Sequence, residues 1–157
     1  MVKKEFQLSG TGTASHLARA FASNQPVSFK YSVEICREIK GKKLDKAVSF
    51  LENVQEQKAF LPLRRYNKKV GHRKGNSYSF VKSGRYPKNA CRAWLKLLES
   101  VKANADYKGL NADQLLVVHA FASIGFRRYS HQNQGRISGK RRRRKSTHIE
   151  VIVREGR

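Results

Sequence analysis

The chain has 157 residues, 39% of them hydrophobic, and a formal net charge of +23 from 34 basic and 11 acidic side chains. That length predicts one domain with a modest core, and the charge excess excludes an ordinary solvated surface: such a protein partners phosphate backbones or anionic membranes. No apolar run reaches the roughly 18 residues of a membrane span and the N-terminus has no apolar core of signal type, so an intracellular protein with no membrane partner is expected.

Residues 1–13 are polar, end in Ser9-Gly10-Thr11-Gly12-Thr13, and are expected to form a flexible arm. From His16 to Ser23, Ala18, Ala20 and Ala22 alternate with Leu17, Arg19 and Phe21. A strand is preferred there over a short helix, with Asn24-Gln25-Pro26 ending it. Ser28 is placed to cap a helix over Phe29 to Lys40, whose apolar face is Tyr31, Ile35, Cys36 and Ile39. Lys30–Glu34 and Glu38–Lys42 have the spacing of surface ion pairs, and Gly41 is the stop. A second helix runs from Leu44 to Gln57 with Leu44, Ala47, Val48, Leu51 and Val54 on one face.

Helical periodicity is lost over residues 58–88. Long loops of this kind in compact domains are functional or disordered. This one interleaves Arg64, Arg65, Lys68, Lys69, Arg73, Lys74 and Arg85 with Tyr66, Tyr78, Phe80 and Tyr86. Cations meet phosphates while rings stack on unpaired bases, so an RNA-binding loop is expected. Pro87 opens a third helix from Lys88 to about Asp106, with Cys91, Trp94, Leu95, Leu98 and Val101 inward. Cys36 and Cys91 belong to no C-x-x-C pair and are read as small hydrophobes.

Leu115 to Phe126 then alternates as a strand, Leu116, Val118, Ala120, Ala122 and Ile124 against Leu115, Val117, His119, Phe121 and Ser123. Ile149, Val151 and Val153 form the returning strand, with His148, Glu150 and Arg154 on its other face. Between them, Arg127 to Lys145 holds nine Arg or Lys among nineteen residues and no acid. It contains Arg127, Arg128, Tyr129, His131, Arg136 and the block Lys140, Arg141, Arg142, Arg143, Arg144, Lys145. A charged segment between two strands predicts a long β-hairpin over 115–154 with its tip near 133–139. Such a density of like charge calls for a polyanion. About nine extended residue steps from Phe126 to Gly135 reach roughly 30 Å.

The acids are segregated. None occurs between Glu56 and Glu99 or between Asp113 and Glu150. A nuclease needs carboxylates where substrate sits, so a non-enzymatic protein is expected. His16, His72, His119, His131 and His148 lack metal-ligand spacing. No metal and no cofactor are expected; His72, His131 and His148 are read as RNA-facing groups and His119 as a satisfied strand histidine.

Several motifs then coincide: Val27-Ser28-Phe29-Lys30 leading to Ile39-Lys40-Gly41, Pro62-Leu63-Arg64-Arg65-Tyr66-Asn67, Gly84-Arg85-Tyr86-Pro87, Asn104-Ala105 with Lys108-Gly109-Leu110, and Gly135-Arg136 before His148-Ile149-Glu150-Val151. With these, the chain resembles the universal large-subunit ribosomal protein family numbered twenty-two in bacteria and seventeen in eukaryotes. The loop carrying Arg64 to Asn67 resembles the archaeal and eukaryotic branch. The resemblance implies an α+β fold: three helices on a small three-stranded antiparallel sheet with one long extended β-hairpin. It also implies a single ribosomal-protein domain in the cytoplasmic large subunit, with large-subunit rRNA and neighbouring ribosomal proteins as partners and no homo-oligomer. The implied role is to bind rRNA, support subunit assembly and line the polypeptide exit tunnel. Gln134, Gly135 and Arg136 would form the tip facing the nascent polypeptide. The alternative read from charge alone is a basic chromatin-like nucleic-acid-binding protein.

Overall fold

The computed structural model describes residues 6, 16–77, 79–136 and 139–156. The arm expected over 1–13 lies outside the described residues except for Phe6, as do Tyr78 and the tip residues Ile137 and Ser138. In chain order the elements are β1 (Leu17–Gln25), α1 (Phe29–Ile39), α2 (Leu44–Gln55), β2 (Leu61–Pro62), β3 (Gly84–Arg85), α3 (Lys88–Tyr107), a 3-10 turn (Ala112–Gln114), β4 (Leu115–Ile124), β5 (Tyr129–His131), β6 (Arg141–Arg143) and β7 (Thr147–Glu155). The class is α+β. An antiparallel sheet ordered β1-β7-β4 is accompanied by two-stranded ladders β2-β3 and β5-β6.

The helices form where apolar side chains recur every third or fourth residue, and each buries that stripe. Ile35 and Ile39 of α1, Ala47, Leu51 and Val54 of α2, and Cys91, Trp94, Leu98 and Val101 of α3 meet one face of the sheet in a single core. Phe50 and Leu97 complete the faces of α2 and α3, where Val48 and Leu95 were expected; the latter two are only partly buried. Ser28 occupies the N-cap position of α1, but its side chain makes no capping bond. Burial pushes both thiols up, Cys91 to about 12, so they act as small hydrophobes.

Strand β1 continues through Gln25, past the expected stop. Its alanines Ala18 and Ala20 face α3, and their small size lets the helix lie close. Two α3 side chains four residues apart then satisfy carbonyls of this edge strand: Asn104 Nδ2 donates to Arg19 O (2.9 Å) and Lys108 Nζ to Leu17 O (2.8 Å). At the opposite edge the turn after α1 covers β4, Gly41 N–H donating to Val117 O (2.8 Å) and Val117 N–H to Lys42 O (2.9 Å). Both edges are thereby blunted against stray strand pairing.

Two corrections concern phase and burial. The expected unbroken alternation along β4 is interrupted: Val117 pairs with Val153 but His119 pairs with Ile152, leaving Val118 as an extra residue. The bulge switches the buried set from Leu115 and Val117 to Ala120 and Ala122. Strand β7 lies between two partners and is buried on both faces, so Glu150 is inside, where it was expected on a polar face. His119 Nε2 lies 3.0 Å from its carboxylate, which satisfies both groups.

Gly84 is packed against the loop's anchor. A Cβ there would collide with the ring of Phe60, itself buried. The expected outcome for Gly84→Ala is a loss of about 1–3 kcal/mol in urea unfolding, through overpacking; wild-type stability would refute this account of the β2-β3 junction.

Candidate nucleic-acid interface

The segment over residues 58–88 is built on an apolar foot. Phe60, Leu61 and Leu63 are buried, and the ladder β2-β3 closes the segment, supported by Leu63 N–H to Ser83 O (2.9 Å) and Arg73 N–H to Lys82 O (2.8 Å). Its crest is tied to α1 through two buried carboxylates. Glu34 Oε1 accepts the backbone N–H groups of Arg65 (2.8 Å) and Tyr66 (2.9 Å). One turn on, Glu38 pairs with Arg64 (3.0 Å) and Lys42 (3.8 Å). Glu34 and Glu38 are 1% and 5% exposed, which distinguishes them from the solvated helix-surface acids expected.

The predicted site residues in this loop divide. Lys68, Lys69, His72 and Lys74 are exposed. Arg64 is held by Glu38 and donates to Ser79 Oγ (3.1 Å). Arg73 donates to Gly84 O (3.4 Å) and lies 5.8 Å from the Tyr86 ring centroid. Lys30 and Arg65 lie 5.5 and 5.7 Å from the centroid of Tyr66. Lys30 therefore stacks on the loop, a role its expected pairing with Glu34 did not foretell. Arg85 and Tyr86 are half-buried, and Phe80 is fully exposed.

The second basic segment leaves the sheet through a knot. Asn24, with φ 49°, donates its N–H to His148 Nδ1 (3.1 Å). Its Oδ1 accepts Phe126 N–H (3.2 Å) and the Ser146 hydroxyl (3.1 Å). Gly125 fits beneath: a Cβ there would lie 2.5 Å from Ser146 Oγ and 2.6 Å from Asn24 Oδ1. His148, read from sequence as RNA-facing, is half-buried, takes part in this knot and stacks on Phe21 (5.8 Å).

Beyond the knot the pairing resumes with a slip. Gly125 N–H bonds Ser146 O (3.0 Å) and Arg144 N–H bonds Arg128 O (2.8 Å), so Phe126 and Arg127 together stand opposite Lys145 alone. This is a bulge. Past it, Tyr129 pairs with Arg143 and His131 with Arg141. The Tyr129 ring has Arg141 4.1 Å and Arg143 5.2 Å from its centroid, and its hydroxyl accepts from Arg143 Nε (2.7 Å). Arg128, His131, Lys140, Arg142, Arg144 and Lys145 are exposed, as are the tip residues Gln134, Gly135 and Arg136.

Electrostatically, neither basic segment presents a carboxylate of its own, and Glu34, Glu38 and Glu150 beside them are buried and bonded inside. The resulting field favours phosphates; the acids that offset it locally are Glu56, paired with Lys58 (2.6 Å) at the start of the loop, and Glu38, paired with Arg64. Among the described residues no group of three His, Cys, Asp or Glu is placed to hold a metal, and no helix is long and apolar enough to cross a membrane.

Residues 20–154 match the family described as ribosomal protein L22p/L17e. The chain is 46% identical over 108 residues to the large ribosomal subunit protein uL22 of Archaeoglobus fulgidus, covering 69% of this chain and 68% of that protein. It is 44% identical over 140 residues to uL22 of Methanocaldococcus jannaschii (88% and 87%) and 37% over 145 residues to that of Nanoarchaeum equitans (90% and 80%).

Glu34→Ala strips the acceptor from two backbone N–H groups. The expected cost is about 2–3 kcal/mol, with faster amide exchange at Arg65 and Tyr66 and little change in β4 and β7. Unaltered exchange at those two amides would show that Glu34 does not hold the loop.

Proposed function

The chain belongs to the ribosomal protein L22p/L17e family, and from that premise we propose that it is a structural constituent of the large subunit of the cytoplasmic ribosome. In this reading it binds large-subunit rRNA, packs beside neighbouring ribosomal proteins and supports subunit assembly. The whole chain acts as one domain with two RNA-binding excursions. One is the loop 58–88. The other is the hairpin 115–154, in which β4 and β7 continue through the bulge into β5 and β6 as a single arm.

The observation that carries the reading is the pairing of exposed cations with sequestered acids. Lys68, Lys69 and Lys74 on the loop, and Arg128, Arg142 and Arg144 on the arm, stand over a body that buries the adjacent carboxylates. Phosphate contact supplies the affinity and the fold supplies the shape, as recognition of folded RNA requires. Tyr66 and Tyr129 hold arginines against their rings, which preorganises guanidinium groups to meet phosphates. The arm's turn around Gln134, Gly135 and Arg136 carries less charge than its flanks; it is the part that faces the nascent polypeptide in the exit tunnel, with the basic block as anchor.

Sedimentation of a lysate through a high-salt sucrose cushion tests the assignment: the protein is expected with large subunits, and recovery at the top of the gradient would overturn it. Replacing Arg141 to Arg144 by Ala should weaken rRNA binding and reduce the slope of log K against log salt by about 3, at roughly 0.7–0.9 per lost phosphate contact. An unchanged slope would place the block away from RNA.

A further inference from the structure

At the root of the arm lies a cleft of about 190 Å³ that neither the motifs nor the family match assigns. Its walls come from two places that sequence keeps far apart, the start of α1 and the two strands of the arm. Phe29, Lys30, Arg127, Arg144, Lys145 and Thr147 line it. The first helical bond of α1 runs from Ser32 N–H to Ser28 O, so the N–H groups of Phe29, Lys30 and Tyr31 precede the helical ladder, and the Ser28 side chain does not cap them. No acid stands in this first turn.

Arg127 is the residue that separates this cleft from a generic basic surface. It sits on the bulge, where two residues oppose Lys145, and a bulge redirects the side chains it carries. Its side chain is half-buried, but the Nε atom is buried and has no hydrogen-bond partner among the described residues. A buried guanidinium donor left unpaired is costly, unless the partner is a ligand that arrives later. The architecture around it is braced: Thr147 Oγ1 donates to Val27 O (2.9 Å), fixing the start of α1 against β7, and Asn24 Oδ1 receives the bulge's Phe126 N–H. The cleft is several times the roughly 30 Å³ that one water occupies in the liquid.

We propose that this cleft is a specific phosphate site. One phosphodiester of the rRNA backbone enters it, accepts from Arg127 Nε and from the leading amides of α1, and is neutralised by Arg144 and Lys145. The other cations of the arm meet phosphates at its surface, whereas this phosphate sets the angle at which the arm leaves the body. The inference rests on the rRNA reading above and adds one bound group to it.

The test uses the full-length protein. Titration with inorganic phosphate against chloride at matched ionic strength should shift the amide resonances of Phe29, Lys30 and Tyr31 saturably; unmoved resonances overturn the site. With deproteinised large-subunit rRNA, Arg127→Gln and Arg127→Lys should both lose roughly tenfold to hundredfold in affinity, because lysine keeps the charge and lacks the Nε–H. Wild-type affinity in Arg127→Lys overturns the proposal in favour of charge alone. Should either variant misfold, as circular dichroism would reveal, the phosphate titration of the wild type decides by itself. A wild-type chain that binds duplex DNA as tightly as rRNA defeats the ribosomal reading, and saturable phosphate shifts in that same chain would still establish the cleft as an anion site.

Discussion

Glu34 accepts two backbone N–H groups of the basic loop, and Glu38, one turn along α1, pairs with Arg64 of the same loop. The chain has 34 cations and 11 acids, and it places two of those acids under a segment that contains none. Buried carboxylates are tolerated only when paired and hydrogen-bonded. These two meet that condition through the loop itself. The loop therefore cannot detach without stripping Glu34 of both its backbone donors and leaving Glu38 with Lys42 alone, and α1 cannot form its present surface without the loop. Phe60, Leu61 and Leu63 add the apolar part of the same junction.

A parallel arrangement governs the arm. Asn24 adopts a left-handed backbone conformation near the end of β1 and bonds Phe126 just after β4, Ser146 just before β7 and His148 within β7. Gly125 makes the space for it. The bulge that follows displaces the register by one residue, and Asn24 accepts the N–H of its first residue, Phe126. An extended, highly charged arm cannot supply its own packing core. It is directed by hydrogen bonds at its base and stiffened further out by the stack of Arg141, Tyr129 and Arg143.

Both devices serve the same electrostatic end. The body keeps its mixed charges on helix faces and within the sheet, while loop and arm offer cations only. Many arginines are held by rings or carboxylates of the chain itself, which reduces the conformational freedom lost when phosphates are bound. Rings expected to stack on bases also lie against the chain's own cations, Tyr66 against Arg65 and Tyr129 against Arg141 and Arg143.

The sequence by itself determined the three helices, the strand pair around the basic run, the segregation of charge and the family, because each is written in local periodicity or in contiguous motifs. Its boundaries for α1 and α3 differ from the structure by a single residue at the C-terminal end. Tertiary structure alone decided the rest. Glu34 and Glu38 carry the spacing of surface ion-pair residues, yet they stand beside Ile35 and Ile39, and only the docked loop shows that they are buried. Glu150 alternates like a solvent-facing residue, but β7 is the central strand and neither of its faces is free. The phase of β4 and the aim of Arg127 depend on bulges, which insert one residue without any compositional mark. The cleft beside α1 joins residues about a hundred positions apart, and no local pattern encodes a meeting that only the sheet's pairing brings about.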